Sequence, residues 1–526
     1  MFDALAPGML VEEFPGRETP LEIFPEGATA FIGAARRGPL DTAVAIRSLA
    51  DYDRIFGITG AETPLDRCVH DFFQAGGERA VVVRVANEAR PCTIRLPGDE
   101  GVLVLEALSP GGSEFLRASV DYDQIAPSDT FAFNLVIQRL RASGSERVVE
   151  QEIYPRLSVQ PGAERYVADE LMGSRLMRVR GATPPSRPWA TVSTAPGYPV
   201  SWAEAGDDGS DGRAVTDYDL VGSAAAGTGL FALEVAGPLD FVCLPPAPDG
   251  RGAGPALLLA ALRYCRRRHA MLLLEAPEDA NDADQALDWL RRLNVAGENA
   301  LAVFPRLAGE GKSLARSALG AVAGALSRQP SDEQPALGSG FRPTHELPAG
   351  QRRRLLAAGL NLIARGAGGR VVLAGNHTLA PADCSVSAWR SLSARRLGLM
   401  IERTLLQGTR WLVFEPPGPD LAARLRAQLG TWFESLRFSG RLAGKSAEAW
   451  FVDIDEVAGP DRRAWAEFTV GFAPRRPGDF IIYRVFQGLD GGRLVRLSAE
   501  RWAITRPRQL APTPPGVLAP GIREVG

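Results

Sequence analysis

The segment "TPLDRCVHDFFQAGGERAVVVRV", residues 63–85, joins an amphipathic helix to a buried strand. Its first part repeats apolar residues at the spacing of a helix that buries one face. Its last part, Ala80 to Val85, is a short apolar run rich in valine, which is typical of a buried strand. A helix followed at once by such a strand indicates an α/β fold.

The residues before this segment extend the pattern. "GATAFIGAARRGPL" contains a short apolar strand, Ala28 to Ile32. In "SLADYDRIFG", Ser48 can cap a short helix that turns Tyr52 and Phe56 toward the core, and Gly57 ends it. Strand, helix, helix and strand thus follow one another between residues 28 and 85.

The character of the chain changes several times after residue 90. Short alternating runs separated by Gly, Ser and Pro predict a β-rich insertion. Buried strands and helices then alternate again, as in "LDFVCLPP", "GPALLLAALRYCRRR" and "HAMLLLEAP", which predicts a parallel sheet. A loop rich in Pro, Ser and Gly precedes a separate α+β region, in which we predict "RWLVFEP" to be a strand, and the end of the chain is rich in proline.

We therefore predict a multidomain chain of mixed α/β and α+β class. Its segments are an extended N-terminal arm and linker (1–27), the first part of the core (28–90), a β-rich inserted domain (91–215), the α/β core with its parallel sheet (216–350), a C-terminal α+β domain (351–485) and a C-terminal extension (486–526).

Composition excludes several functional classes. The 526 residues carry 59 Lys and Arg against 62 Asp and Glu, so no net charge favours nucleic acid or an anionic membrane. Neither a signal peptide nor an apolar run of about 18 residues occurs, so we expect a protein made in the cytoplasm and not inserted in a membrane. The five cysteines have no C-x-x-C spacing and the four histidines form no ligand cluster, which predicts no metal site.

Two motifs resemble nucleotide-binding loops. "GRGAGP", residues 250–255, follows a strand, and Glu275 ends the next one, but Pro255 stands where a dinucleotide loop needs a third glycine. "RLAGEGKS" ends like a phosphate-binding loop, but Arg306 replaces its first glycine. No nucleophile motif such as G-x-S-x-G occurs. We expect no cofactor and no catalytic residue, and a nucleotide-dependent enzyme remains the alternative of another class.

The beginning of the chain contains a strand without an evident partner. In "PGMLVEEFPGRETP", Met9 to Phe14 has β-type residues with prolines on both sides, which confines the strand to a sheet edge. Glu12 and Glu13 project from opposite faces of such a strand. This arrangement suits the edge of another molecule's sheet.

Several stretches together resemble one family, the tail sheath proteins of contractile phages and of related phage-tail-like injection systems. In chain order they are "PGMLVEE", "AFIGAARRGP", "DYDRIFG", "PLDRCVHDFFQAGGERAVVVRV", "AGLNLIARGAGGRVVLAGNHTL", "AWRSLSARRLGLMIERTL", "RWLVFEP" and "VGFAPRRPGDFIIYRV". They extend over nearly the whole chain, and their combined order is more specific than any one of them.

The resemblance implies a structural protein, not an enzyme. Subunits of this family stack as hexameric rings in a helical assembly around an inner tube, between baseplate and cap proteins, and contract to drive the tube through a target envelope. Terminal arms add strands to the sheet of a neighbour's C-terminal domain. The resemblance thus implies that the domain at 351–485 accepts arms and faces the tube, and that the inserted domain at 91–215 lies on the outer surface. The particle is assembled in the cytoplasm as part of a phage tail or of a released, phage-tail-like particle.

The resemblance also implies roles for particular residues. The arm that links subunits would contain Met9, Leu10, Val11, Glu12, Glu13 and Phe14. The strand that accepts an arm, or forms the C-terminal strand, would contain Phe480, Ile481, Ile482, Tyr483 and Val485. Contacts to the tube would involve Arg395, Arg396, Arg475 and Arg476. Because the chain continues past residue 485, a non-contracting cap, baseplate or minor sheath paralogue remains an alternative.

Overall fold

The structure is a computed structural model that describes residues 21–24, 27–57, 62–191, 201–206, 208–293, 295–309, 315–328, 335–384, 386–415, 419–454 and 466–498. These residues form two compact units. The larger unit lies within residues 27–382 and 389–395, and the smaller within residues 21–24, 383–388 and 396–498. Strands and helices are numbered below along the whole chain.

A nine-stranded sheet forms the centre of the larger unit. Its strands are β1 (Ala28–Gly33), β2 (Val44–Ile46), β3 (Ala80–Arg84), β11 (Leu239–Cys243), β12 (Met271–Glu275), β13 (Ala300–Phe304), β16 (Ala336–Gly338), β17 (Asn361–Arg365) and β18 (Val371–Ala374). Their order is β16-β18-β17-β13-β12-β11-β1-β3-β2. The six strands from β17 to β3 are parallel, and the remaining strands join them by antiparallel pairing, β18 followed by β16 at one end and β2 at the other.

Helices cover both faces of this sheet. They are α1 (Leu49–Ile55), α2 (Pro64–Gln74), α4 (Asp217–Val221), α5 (Pro255–Arg268), α6 (Ala283–Leu293), α7 (Leu319–Arg328) and α8 (Ala349–Ala357). Along β1, Ala30 and Ile32 pack with the cluster that includes α5, whereas Phe31 turns to the other face and meets Phe72 of α2. This alternation of side chains produces three layers, as a parallel sheet requires.

The predicted cap of α1 is confirmed. Ser48 Oγ accepts a hydrogen bond from the Asp51 N–H at 3.1 Å. Tyr52 and Phe56 are fully buried, and Gly57 has a φ of +51°, a conformation that favours glycine. Short elements complete the larger unit: the 3-10 helices Gly229–Val235 and Ala367–Gly369, and the hairpin of β14 (Leu307–Ala308) with β15 (Ala315–Arg316).

The segment between β3 and α4 is rich in strands. A three-stranded sheet contains β4 (Thr93–Gly98), β5 (Gly101–Ala107) and β9 (Met177–Val179), and a four-stranded sheet, ordered β10-β6-β7-β8, contains β6 (Leu116–Asp121), β7 (Ala132–Leu140), β8 (Val148–Ser158) and β10 (Ala203–Glu204). One apolar cluster lies between the two sheets. Helix α3 (Val167–Glu170) and the 3-10 helix Leu171–Gly173 connect β8 to β9.

The chain enters and leaves this β-rich segment along two paired passes. The Arg90 N–H donates to the Ser210 carbonyl at 2.8 Å, and the Ser210 N–H donates to the Arg90 carbonyl at 2.9 Å. Farther along the same passes, Asn87 forms bridges with Gly212 and Arg213. A Cβ on Gly212 would lie 2.0 Å from the Asn87 carbonyl oxygen, so glycine allows this close approach.

The smaller unit is an antiparallel sheet covered by helices. The strands, in spatial order, are β19 (Trp450–Asp453), β20 (Ala466–Phe472), β21 (Ile481–Gly488) and β22 (Gly491–Leu497). The helices are α9 (Leu392–Gly408), which belongs to this unit from Arg396 onward, α10 (Pro419–Phe438) and α11 (Ser446–Ala449). Phe433 of α10 stacks on Trp450 and Phe472, with ring centroids 5.9 and 6.3 Å away.

Three features differ from the expectations drawn from the sequence. Strands β17 and β18, expected in the C-terminal domain that begins at residue 351, belong to the nine-stranded sheet because β17 pairs with β13. The run "RWLVFEP", expected as a strand, contains the 3-10 helix Arg410–Phe414, which has no sheet partner among the described residues. The expected boundary after residue 485 falls inside β21. The six-segment division itself stays a prediction.

Candidate assembly interface

The loop "GRGAGP" lacks the geometry of a nucleotide site. Asp217 Oδ1 accepts a hydrogen bond from the Gly254 N–H at 3.3 Å, so a carboxylate occupies the N-terminus of α5. A phosphate would meet that negative charge at the place where such loops bind it. Glu275 accepts a hydrogen bond from the Ala318 N–H at 2.7 Å and is 3.4 Å from Arg306, so its carboxylate is engaged at the start of α7.

The described part of the second motif offers no better site. Residues 310–314, its glycine, lysine and serine among them, lie outside the described residues. Arg306 is buried, and its Nε donates to the Ala276 carbonyl at 2.9 Å. Within the described part of the chain, no group of three or more His, Cys, Asp or Glu could hold a metal ion. None of the described helices combines the length and apolar composition needed to cross a bilayer.

The expected strand-accepting residues lie in β21, except Phe480, which immediately precedes it and packs against Phe451. Strand β21 pairs with β20 on one side and with β22 on the other. A strand paired on both sides cannot accept a further strand, so β21 itself is not the acceptor in this arrangement. The expected arm, Met9 to Phe14, lies outside the described residues.

Side chains of β21 form hydrogen bonds with the end of α9. The Tyr483 hydroxyl donates to the buried carboxylate of Glu402. Gln487 is fully buried, and its Nε2 donates to the Leu405 and Leu406 carbonyls at 3.2 and 2.9 Å and to Thr409 Oγ1 at 2.8 Å. Carbonyls at a helix end lack partners inside the helix, so Gln487 acts as a side-chain cap for α9.

The two outer strands of this sheet differ in charge. Among the described residues, β19 and β22 each pair on one side only. Strand β19 is short and carries Asp453, whereas β22 carries the exposed side chains of Arg493 and Arg496. The guanidinium of Arg493 lies 4.8 Å from the ring centroid of Phe486 on β21. The outer side of β22 is therefore a basic strand edge, which we call the β22 edge.

The four arginines expected at a tube contact are not equivalent. Arg395 is buried, its Nη2 donates to Asn299 Oδ1 at 3.0 Å, and its guanidinium stacks on Trp389 at 4.8 Å. A buried and stacked guanidinium cannot meet a separate protein, so the expectation for Arg395 was wrong. Arg396 is half-buried on α9. Arg475 and Arg476 are exposed in the turn between β20 and β21.

Residues 21–24 lie against the last turns of α9. Leu21 is buried, and the Phe24 N–H donates to Thr404 Oγ1 at 3.2 Å. A Cβ placed on Gly408 would lie 2.4 Å from the Glu22 carbonyl oxygen and 3.3 Å from Leu21 Cδ1. The segment that follows the expected arm is thus held by the same helix that contacts β21.

Arg84 is a structural residue that the sequence did not reveal. It is 1% exposed at the end of β3, and its guanidinium donates to the carbonyls of Ala35, Arg36 and Gly38 at 2.6–3.2 Å. The Ser109 hydroxyl, two residues after β5, accepts a hydrogen bond from the Gly38 N–H at 2.8 Å. Burial lowers the pKa of Arg84 to about 10. An arginine inside an apolar run is the signal that could have indicated such a clamp.

A hydrogen-bonded carboxylate joins α10 to the start of β19. Glu434 accepts hydrogen bonds from Arg437 Nε at 2.8 Å, Trp450 Nε1 at 2.9 Å and Ser446 Oγ at 3.0 Å. The bond from Arg437, followed by that from Trp450, lowers the pKa of Glu434 to about 2. The carboxylate therefore stays charged at neutral pH, and its hydrogen bonds hold the first residue of β19 against α10.

The sequence matches no known protein family, whereas the structure resembles several solved structures. No family model and no curated protein matches the sequence. A sheath tail protein from Listeria innocua aligns with a TM-score of 0.62 at 13% identity, covering 91% of this chain and 96% of that chain. A sheath tail protein from Desulfitobacterium hafniense aligns with a TM-score of 0.55 at 12% identity, covering 93% of this chain and 100% of that chain.

A weaker match, too distant to carry an argument, is the PVC sheath complex of an extracellular contractile injection system in its contracted state. Its TM-score is 0.49 at 15% identity, and it covers 93% of this chain and 99% of that chain. At such identities the two stronger matches concern the fold alone. The chain has the fold of sheath tail proteins, which confirms the resemblance seen in the sequence at the level of structure.

Proposed function

We propose that the chain is a structural subunit of a contractile tail sheath and that it links to other copies of itself by adding the arm Met9–Phe14 to the β22 edge. The fold of sheath tail proteins supports the class of function. The β22 edge is the observation that carries the assembly step, since it is an exposed strand edge that carries charge opposite to that of the arm. Backbone hydrogen bonds along the edge would supply the affinity.

Charge and strand geometry favour β22 over β19 as the acceptor. Arg493 and Arg496 are three residues apart, so their side chains lie on opposite faces of β22, and adjacent Glu12 and Glu13 would do the same on the arm. In either strand direction, a register that sets Glu13 opposite Leu494 places each glutamate beside an arginine on its own face. At β19 the arm would meet the like charge of Asp453 instead.

The same proposal includes the partners and the working cycle. Copies would form hexameric rings stacked around an inner tube, with baseplate and cap proteins at the two ends of the stack. Contraction would draw on energy stored in subunit contacts during assembly, so no nucleotide and no catalytic residue is needed. Strand addition suits this task because paired backbones can stay joined while the linker between arm and core bends. The assembled product would be part of a phage tail or of a released phage-tail-like particle.

A charge exchange between two full-length variants tests the linkage. One variant carries Glu12→Arg and Glu13→Arg, and the other carries Arg493→Glu and Arg496→Glu. We expect each variant alone to lose self-association by a factor of roughly ten or more, because like charges then face each other. An equimolar mixture should associate again, since a basic arm can meet an acidic edge. Co-purification of an untagged copy with a tagged one, followed by negative-stain microscopy, measures this.

The pair Arg475→Glu and Arg476→Glu is the matched control. It makes the same change of charge on the same sheet, and it should leave self-association at the wild-type level. If wild-type copies fail to associate under any condition, the sheath function is wrong. If they associate and both exchanged variants associate equally well alone, the sheath function stands and the assignment of the β22 edge is wrong.

A further inference from the structure

The end of α9 contacts other segments of the chain through two of its faces. One face contacts β21 and follows the i, i+3, i+4, i+7 spacing of a helix. Its residues are Glu402, Leu405, Leu406 and Thr409. Thr404 and Gly408 are four residues apart and lie on a second face, where residues 21–24 are seated. We call this second face the α9 groove.

We propose that the α9 groove is an intramolecular docking site for an extended chain segment and that its occupant is Leu21–Phe24 of the same copy. Two contacts of different kinds support this assignment. The fully buried Thr404 hydroxyl accepts the Phe24 N–H at 3.2 Å, and Leu21 is 91% buried beside Gly408. An apolar side chain at one end and a backbone hydrogen bond at the other fix the direction in which the segment lies.

Gly408 is required at this site for its small size. It is the last residue of α9 and its φ is not positive, so no left-handed conformation explains the glycine. A Cβ there would lie 2.4 Å from the Glu22 carbonyl oxygen, which is too close for any carbon atom and involves backbone that cannot turn aside. Any larger residue at position 408 must therefore displace the docked segment.

The docking has a consequence for the proposed arm, and this part rests on the proposed function. With residues 21–24 held, only the residues before Leu21 would be available to reach another copy. The seven Cα–Cα steps from Leu21 to Phe14 can span at most about 25 Å when extended. The α9 groove would thus determine how far from its own core a copy can place its arm, and a pull on the arm would reach α9 and β21.

Gly408→Ala in the full-length chain tests the docking. Alanine has a higher helix propensity than glycine, so α9 should remain folded. Because cleavage tracks the population of the open form, a glutamyl endopeptidase should cleave after Glu22 on the order of ten times faster than in wild type. Mass spectrometry of the product that begins at Ile23 measures the rate. Thr404→Val, which removes the acceptor and keeps the shape, should raise the same rate by a smaller factor.

Gly350→Ala is the matched control, since Gly350 lies in α8 and a Cβ there would meet nothing within 4 Å. Its cleavage after Glu22 should equal that of wild type. An unchanged rate in Gly408→Ala would overturn the docking site. Protection of Glu22 that disappears on dilution of the wild type would show that the occupant comes from a second copy, and this would also overturn the proposal. Neither outcome depends on whether the chain forms a sheath.

Discussion

At the scale of single residues, two glycines allow α7 to pack directly on α2. A Cβ on Gly320 would lie 1.9 Å from the Cys68 carbonyl oxygen, and one on Gly324 would lie 2.2 Å from the Phe72 carbonyl oxygen. The atoms that would be struck belong to the backbone of α2, so no side chain can rotate away. Every residue of α7 from Leu319 to Leu326 is buried, which leaves the helix no room to shift.

We therefore expect Gly320→Ala to destabilise the larger unit, although alanine favours a helix. Forcing a methyl group into a packed interior costs about 1–3 kcal/mol and more when the backbone must move. The free energy of unfolding, measured by urea denaturation, should fall by at least that amount. Gly350→Ala adds the same methyl group in open space on a helix and should leave stability unchanged or slightly raise it. Equal stability of both variants would contradict this account of the packing.

At the scale of elements, the hairpin of β21 and β22 belongs to the folded part of the smaller unit. Gln487 caps α9 and β22 pairs with β21 along its whole length, although both follow the boundary expected after residue 485. Residues beyond an expected boundary would contribute no buried contacts if they formed only an extension. These residues do contribute them, so the hairpin stabilises the unit.

A pair of truncations tests this role. A chain that ends at Val485 loses β22 and the cap of α9, and we expect a lower melting temperature for the smaller unit or failure of that unit to fold. A chain that ends at Ser498 keeps every described element and should melt like the full-length protein. Differential scanning calorimetry resolves the two cases. Equal melting of both truncations would show that the hairpin adds no stability.

How far the sequence predicts these elements depends on how local their causes are. Ser48, Tyr52 and Phe56 were predicted correctly because a cap and a helical spacing involve residues a few positions apart. Arg395 was not, since its burial depends on Asn299, 96 residues away. The β-type residues of "RWLVFEP" favour a strand, but a strand also needs a neighbouring strand to pair with its backbone, and the sequence does not show whether one is present.

At the scale of the whole molecule, the proposed contact with an inner tube has few candidate residues in the part of the chain that the structure describes. Of the four arginines expected there, only Arg475 and Arg476 are exposed. They lie in the turn that joins β20 to β21, and the pairing of these two strands holds the turn in place. We expect these two residues to carry whatever charge contact this sheet makes with the tube.

Reversing both charges tests that expectation. Arg475→Glu with Arg476→Glu should weaken binding to the inner tube protein of the same particle by a factor of roughly three to ten, since exposed ion pairs each contribute little. Co-sedimentation with assembled tubes measures the affinity. The reference is Arg352→Glu with Arg353→Glu, an exposed pair on α8 of the larger unit. If both double variants bind alike, Arg475 and Arg476 are not part of the contact.

The paired passes at Arg90 and Ser210 have a consequence for how such a chain can diversify. Because the two residues exchange both backbone hydrogen bonds, the roughly 120 residues between them begin and end at one point of the core, as a loop does. A module attached in this way can be replaced by another, or by a tight turn, while the ends that the core must hold remain in place. The β-rich segment is therefore a natural graft site, at which a foreign domain could be displayed if the graft supplies an acceptor for the Gly38 N–H in place of Ser109.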